Sequence, residues 1–506
     1  MMMSARKHNV YAGLTIVLLV LFSAMGFSQH RGDNLRFQGL DLVNRNGVKA
    51  VAMGGAFTAV NGELDALYWN PAGLVGLEKL SINANFNSNE NKWRESQDYR
   101  PNRQLVTMSF ILDGLYRPNP EFNGWIDNEA FFEDSTYIVN DPLLGADSYS
   151  EEAADWQKAL DNAGLTNLSA AYPINLGERK LVVSAGYNAN IGVNDYDRNI
   201  THLTPHPAFD GYGDLPERVV SAQDSVFINW SDFERQRVGD LRSYHGAVAF
   251  GWNENIRFGL SFENVSGQTD EFQSLNRIGV FELVDGIQIF RFNYDTLDVR
   301  LDGTSDFSAT KFNLGTSVSF GKLAVGANLR PGYTLKREWN YTTTVATADS
   351  MGTGSISGED NLEIPFSYSF GLGLAPTSKF QIAFDIEHNP YADANFVLAQ
   401  DDATLRNWVD QTTYRVGVEF KPIEAISLMG GYRNVPQVFS PDGAADDEKG
   451  PEANIFTVGA SAKVAFAQLN AAYEFGSLKY YDTYFSNTNF AYQQSSSLLV
   501  GLTLSY

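Results

Sequence analysis

SLLVGLTLSY occupies positions 497–506, and its residues alternate in character. Leu498, Val500, Leu502, Leu504 and Tyr506 share one parity, against Leu499, Gly501, Thr503 and Ser505. Successive side chains of a strand point to opposite faces, so this stretch reads as a strand with one apolar face and one smaller, more polar face. NIFTVGASAKV repeats the pattern, setting Phe456, Val458, Ala460, Ala462 and Val464 against Thr457, Gly459, Ser461 and Lys463. TKFNLGTSVSF does the same, with Phe312, Leu314, Thr316, Val318 and Phe320 against Asn313, Gly315, Ser317 and Ser319.

About 14 such segments follow residue 78, each ~9–14 residues long, the length of a tilted strand crossing a bilayer. They begin near Leu80, Leu165, Lys180, Leu241, Asn255, Ala309, Leu323, Asn361, Lys379, Thr412, Ala425, Asn454, Gln468 and Ser495. Their connections alternate. NLGERK, NEN, GK, PTS and KPIE are short, whereas 90–164, 194–240, 267–308, 340–360, 391–411, 438–453 and 481–494 are long. Short turns at one end and long loops at the other predict an all-β fold, a transmembrane antiparallel β-barrel of the bacterial outer membrane.

Charge follows the same parity. Arg257, Glu263, Arg330, Asp385, Glu387, Arg415, Glu419, Arg433, Lys463 and Glu474 all fall on the polar face. Arg or Lys at mid-membrane on the lipid side would cost ~2–4 kcal/mol, whereas lumenal charges can pair across the interior. Aromatics gather near strand ends (Tyr172, Trp252, Phe320, Trp339, Phe420, Tyr432, Phe475, Tyr506), where their rings suit the headgroup level. A closed barrel also leaves no unpaired edge in lipid. Two segments interrupt the pattern. QLVTMSFIL (104–112) reads as a strand within the first long loop, and SEEAADWQKALDNAG (150–164) reads as a helix capped by Ser150 and closed by Gly164. GIQIFRFNYDTLDVRL (286–301) is assigned to a loop hairpin or an extension above the membrane.

The chain has 506 residues, no cysteine and a net charge of −23. A disulfide, a thiolate metal site and a cysteine nucleophile are excluded. The acidic balance argues against nucleic acid, whose binders need a basic stripe. Residues 1–28 read as a signal peptide: Arg6 and Lys7, the apolar run AGLTIVLLVLFSAMGF, then small Gly26 and Ser28.

Residues 29–78 stand between that signal and the first strand, and so start on the side of the short turns. GGAFTAVNGELDALYWNPAGL (54–74) is too broken for a membrane helix and too apolar for a linker. Its economical place is inside the barrel, as a hatch. Gly54, Gly55 and Gly73 allow tight turns, and Pro71 stops the short helix suggested by DALYW. Phe57, Leu67, Tyr68, Trp69 and Leu74 are the candidate ligand-binding residues, facing a pocket or packing on the barrel wall.

MGGAFTAVNGELDALYWNPAGL resembles the N-terminal hatch of the long-chain fatty-acid transporter (FadL) family of outer-membrane proteins. Asn70-Pro71-Ala72, followed by Gly73, matches that family's NPA motif, and LSAAYPIN (168–175) resembles its early hairpin. The resemblance implies a 14-stranded barrel, residues 79–506, plugged by the hatch. It implies passive entry of a hydrophobic, fatty-acid-like molecule, a pocket near the hatch, and sideways release where the third strand kinks. In LVVSAGYNANIGVND that places a lateral opening at Gly186, Asn190 and Gly192; the same small residues also leave room for the hatch. The long first loop departs from the family's usual length. The implied partners are outer-membrane lipid and a hydrophobic small molecule or detergent.

Catalytic and metal sites are not legible. His202 and His206 are flanked by Pro205 and Pro207, which oppose the helix a paired metal site would need. SPDGAADDEKG (440–450) and the acidic run 141–155 lack EF-hand spacing and read as solvated loops. No enzyme and no cofactor is expected. A second reading of the same fold is a docking subunit, similar to the outer-membrane shuttle of the type IX secretion system. Its protein partner would bind extracellular loops such as VFINWSDF and YYDTYFSNTNFAY.

Overall fold

The computed structural model describes residues 35–39, 46–97, 146–207, 226–284, 289–293, 296–400, 408–441, 444–484 and 487–506. The signal 1–28 and the strand-like 104–112 lie outside them. Fourteen strands close an antiparallel barrel. They are β1 (Ser81–Gln97), β2 (Trp156–Leu176), β3 (Arg179–Gly192), β5 (Val226–Gly251), β6 (Ile256–Val284), β8 (Leu297–Phe320), β9 (Leu323–Arg330), β12 (Ser367–Thr377), β13 (Phe380–Asn389), β15 (Gln411–Ile423), β16 (Ile426–Pro436), β17 (Glu452–Val464), β18 (Ala467–Tyr484) and β19 (Asn487–Ser505). Pairing of Ser81 with Ser505 begins the ladder that joins first strand to last. Five further strands extend the sheet: β4 (Asp195–Pro207), β7 (Ile289–Asn293), β10 (Tyr333–Thr347), β11 (Met351–Ile364) and β14 (Asn395–Val397).

The alternation read in the sequence is the division between outside and lumen. Phe456 and Val458 are 57% and 60% exposed on the outer face, while Thr457 between them is 3% exposed. Leu498, Val500, Leu502 and Tyr506 also face outward, with Ser497 and Leu499 buried. This apolar outer wall suits lipid. Among the described residues, no helix is long and apolar enough to cross a membrane. The short-turn end is tightly closed, with Gly177 (φ 68°) and Gly321 (φ 63°) in the left-handed region that glycine adopts without strain.

The strands are longer than the sequence pattern predicts. β6 runs for 29 residues and β5 for 26, well beyond a bilayer-spanning length. Much of what reads as long loop is therefore sheet rising above the lipid-facing wall. Residues 289–293 and 297–301 follow the expected extension, since β7 pairs with β6 and β8 begins at Leu297; 286–288 and 294–295 lie outside the described residues. Three expectations are corrected. First, residues 156–164 are not helical but the start of β2, because β1 offers a free edge that pairs Trp156 with Glu95 and Asn162 with Asn89. Tertiary pairing overrides the local preference, and Ser150 caps only a turn, accepting from the Ala153 N–H at 3.2 Å. Second, the segment near Asn361 divides at Pro365-Phe366: β11 belongs to a hairpin with β10 above the wall, and the barrel strand β12 starts at Ser367. Third, Trp339 is no interfacial ring. It is 4% exposed in β10, clustered with Leu301, Tyr341 and Ile356. VFINWSDF likewise falls within β5, and residues 480–484 and 487–492 of YYDTYFSNTNFAY fall in β18 and β19.

Residues 46–77 lie inside the barrel. Helix α1 (Val48–Ala52), helix α2 (Ala66–Trp69) and a 3-10 turn (Pro71–Gly76) form one buried apolar cluster with wall residues such as Val182, Ala249 and Leu499. The backbone of this segment approaches the wall at strand glycines. A Cβ at Gly326 would sit on the Thr58 carbonyl, one at Gly417 on the Met53 carbonyl, and one at Gly431 on the Gly54 N–H. Gly326→Val should destabilise the seating of the segment by roughly 1–3 kcal/mol through overpacking, leaving the β8–β9–β12 ladder intact. Limited proteolysis of residues 46–77, compared with heat-modifiable mobility of the barrel, would check it.

Candidate functional site

Four sets of hydrogen bonds and ion pairs hold the lumenal segment. Asp385 of β13, fully buried, accepts the Phe57 and Thr58 N–H groups at 2.7 and 2.8 Å. Asn70 donates to the Thr58 and Thr316 carbonyls at 2.7 and 3.0 Å and accepts the Ala72 N–H at 3.1 Å. Lys49 lies 2.6 Å from Glu63 within the segment and 3.0 Å from Glu419 on the wall. Thr457 donates to the Ala52 carbonyl at 3.1 Å. Within the segment, the Asp65 carboxylate accepts the Lys49 and Ala50 N–H groups at the start of α1. Burial, with Glu63 adding to it, pushes the Asp65 carboxyl up to about 6, against the opposing pull of those donors.

The NPA motif thus has a structural role. Pro71 opens the 3-10 turn, and the Asn70 side chain ties two lumenal carbonyls to the turn's first free N–H. Ala72 and Gly73 are fully enclosed, and a Cβ at Gly73 would meet the Ala66 Cβ at 2.9 Å.

Above the segment lies a cavity of about 520 Å³. Its floor includes Asn46 and Tyr68; its wall carries His245, Glu263, Lys311, Arg330, Glu387 and Arg415; aromatics including Phe37, Phe396 and Trp408 stand over it. Of the five residues proposed from the sequence to bind ligand, Tyr68 faces this cavity. Phe57, Leu67, Trp69 and Leu74 are buried in the packed core of the lumenal segment. Trp69 still reaches the site's chemistry, because the Arg415 guanidinium stands 5.4 Å from its ring.

The cavity's charges were legible by parity, but their pairing was not. Glu387 bridges Arg330 and Arg415, the latter at 2.8 Å. Arg415 is 4% exposed, and among the described residues its Nε and Nη1 have no hydrogen-bond partner. His245 Nε2 meets Ser243 Oγ at 2.8 Å, Asn188 Nδ2 at 2.7 Å and Glu263 at 3.4 Å, and its ring stands edge-on to Tyr68 at 5.0 Å. Serine and carboxylate converge on one ring nitrogen, so this is not the relay of nucleophile, base and orienting acid, which needs both nitrogens.

Beside the cavity the wall opens. The β2–β3 ladder ends at Asn167–Asn188. Beyond it β3 makes a one-residue bulge against β5 between Asn188 and Ile191, and among the described residues the β4 ladder runs along β5. Among the described residues, β2 continues to Trp156 with a ladder on its β1 side alone. The far edge of this window is closed by Trp156 against Tyr196, ring centroids 5.3 Å apart. Across it Asn162 donates to Asp240 at 2.8 Å, and the Lys158 ammonium stands 4.9 Å from the Tyr196 ring. Thr166, Gly192 and Asn194 line both window and cavity. Of the residues proposed for a lateral opening, Gly192 stands at the window and Asn190 lies in the bulge. Gly186 faces the lumenal segment instead, where a Cβ would meet Leu67 and Tyr68 at 3.0 and 3.1 Å.

Leu35–Gly39 was not expected where it is. It sits among the strand extensions, at the end opposite the short turns. Leu35 N–H donates to Gln273 at 3.0 Å, and Arg237 donates to the Gln38 and Arg36 carbonyls at 2.6 and 2.7 Å. Glu271, between Arg237 and Arg337, anchors that cluster.

No protein-family model matches the chain. No curated protein matches it in sequence. Its structure, however, is similar to solved channels. A Pseudomonas aeruginosa FadL homologue aligns over 92% of this chain and 99% of its own, with a TM-score of 0.54 at 12% identity. The P. putida toluene transporter TodX aligns over 91% and 98%, at 0.53 and 13%. The monoaromatic hydrocarbon channel CymD aligns over 91% and 97%, at 0.50 and 13%. With its apolar outer wall, its 14 strands and this likeness along nearly the whole chain, the protein is a bacterial outer-membrane β-barrel with the FadL-type fold.

Proposed function

We propose that this barrel is a passive outer-membrane channel for hydrophobic small molecules, fatty-acid-like in carrying an acidic head. In this reading residues 1–28 are a removed signal, 29–78 are the hatch that gates, and 79–506 are the barrel. The observation that carries it is the continuity of the cavity over Tyr68 with the unpaired stretch of wall between β2 and β3. A molecule leaving through that window enters the bilayer directly, and its apolar surface, worth ~25 cal/mol per Å², stays out of water. The unpartnered Nε and Nη1 of Arg415 supply a receptor for a carboxylate at the cavity wall. The solved channels of the same fold include a toluene transporter and a monoaromatic hydrocarbon channel, which agrees with a hydrophobic cargo.

The test is paired replacement of Tyr68 and Trp69 by alanine. It removes the cavity floor and the ring under Arg415, and truncating a core Trp costs about 3–5 kcal/mol of packing. Uptake of a fluorescent fatty acid should change by about an order of magnitude, as ~1.4 kcal/mol is tenfold, while the barrel keeps its heat-modifiable mobility. Unchanged uptake, with a polypeptide co-purifying instead, would give the docking reading.

A further inference from the structure

We infer that the short-turn rim of the barrel is a binding surface for anionic phospholipid headgroups of the adjoining leaflet. The chain as a whole carries −23, yet its rim is basic. Lys79, Arg179, Lys322, Lys379, Lys421 and Lys463 stand at or beside the short turns, against Glu78, Glu178, Glu254 and Glu424. Lys180 and Arg257 add two half-buried cations just inside. The opposite end has the reverse sign: the outward edges of β8, β10 and β11 present Asp298, Asp306, Glu338, Glu359 and Glu363 against Arg300 and Lys336.

The placement of the cations specifies lipid. Four of the basic turns adjoin an outward apolar side chain of the lipid-facing wall. Lys322 lies between exposed Phe320 and Leu323, Lys379 precedes exposed Phe380, Lys421 follows Phe420, and Lys463 precedes Val464. Arg179 stacks on Trp252, 4.7 Å from the ring. An aromatic ring at headgroup depth with a cation reaching past it is an arrangement for a phosphate at the bilayer surface. The pairs also recur around the circumference, from β3 through β9, β13 and β15 to β17. A protein partner would favour one contiguous patch; a leaflet meets the whole ring.

The experiment uses the full barrel in mixed vesicles of phosphatidylglycerol and phosphatidylcholine, extracted gently and weighed by native mass spectrometry. The wild type should retain phosphatidylglycerol over phosphatidylcholine, and high salt should weaken that preference. The K322Q/K379Q/K463Q variant should lose retention by about 5-fold per cation removed. K322R/K379R/K463R should keep it, showing that charge rather than a lost fold is responsible. Equal retention of the two lipids by the wild type overturns the inference. So does unchanged phosphatidylglycerol retention by a folded triple-Gln variant, or capture of an acidic polypeptide at the rim without lipid preference.

Discussion

A barrel carrying Asn162→Cys and Asp240→Cys, joined by a short cleavable bis-thiol reagent, should lose uptake of hydrophobic solutes by at least about tenfold and recover it when the bridge is cleaved. The two side chains already meet across the unpaired stretch of wall at 2.8 Å. A hydrogen bond to a carboxylate has a net worth of only about 1.5–3 kcal/mol, so the native contact is a closure that opens readily. A covalent bridge makes that closure permanent. The chain has no cysteine, so the reagent has no competing site and needs no background removal. Ala170→Cys with Ala185→Cys provides the control, since those residues pair directly within the β2–β3 ladder and bridging them adds nothing to a wall already closed. If full crosslinking at 162 and 240 leaves uptake unchanged, cargo does not leave between β2 and β3, and the lateral route is wrong. If the control pair blocks equally, the effect is rigidity of the wall rather than closure of the window.

The window also marks where the sequence was readable and where it was not. Lipid-facing strands announce themselves because one solvent, hydrocarbon, imposes a strict period of two. NIFTVGASAKV and SLLVGLTLSY therefore carried their own assignment. Above the lipid that pressure ends. MGTGSISGED in β11 has only Met351 and Ile356 among small and polar residues, and its partner β10, apolar inward at Leu335, Trp339, Tyr341 and Val345, is polar on its outer face, so the hairpin carried no lipid-facing signal. SEEAADWQKALDNAG carried a helical signal that was locally sound, and β1's unpaired edge defeated it. The lumenal segment was legible as something enclosed, through its glycines and its Asn-Pro-Ala. Its attachment was not, because the latches are distant in sequence: Asp385 to Phe57, Glu419 to Lys49, Thr457 to Ala52. Parity marked Asp385, Glu387 and Arg415 as lumenal without separating the carboxylate that holds backbone from the one that bridges two arginines.

That separation makes Asp385→Ala the most informative lumenal change, and the expected result is a barrel that stays folded while its ion conductance in planar bilayers rises from a closed to an open level. Asp385 is fully buried, and one of its oxygens receives both the Phe57 and Thr58 N–H groups. Alanine leaves two enclosed donors without a partner, each at roughly 1–3 kcal/mol. Of the remaining anchors, Lys49 and Ala52 act near α1, while Asn70 still donates to the Thr58 carbonyl and the Thr58 hydroxyl lies 3.4 Å from Ser369 Oγ. Both are neutral contacts, weaker than the carboxylate's pair, so the loop at Phe57–Thr58 is still the part that should lift. Thr58 and Ala59 fill the space left by Gly326 and Gly371, so lifting them opens a path along β9 and β12. The β12–β13 and β13–β15 ladders do not use the Asp385 side chain, and heat-modifiable mobility should be retained. Asp385→Asn separates charge from geometry. It keeps an acceptor oxygen for the two donors and removes the negative charge opposite Arg415, its direct cross-strand neighbour. If the latch is the hydrogen bonds, the Asn variant stays mostly closed and the Ala variant opens. If it is the charge, both open alike. Should Asp385→Ala conduct no more than the parent, the lumenal segment is seated by packing alone and the carboxylate is not what keeps the pore shut.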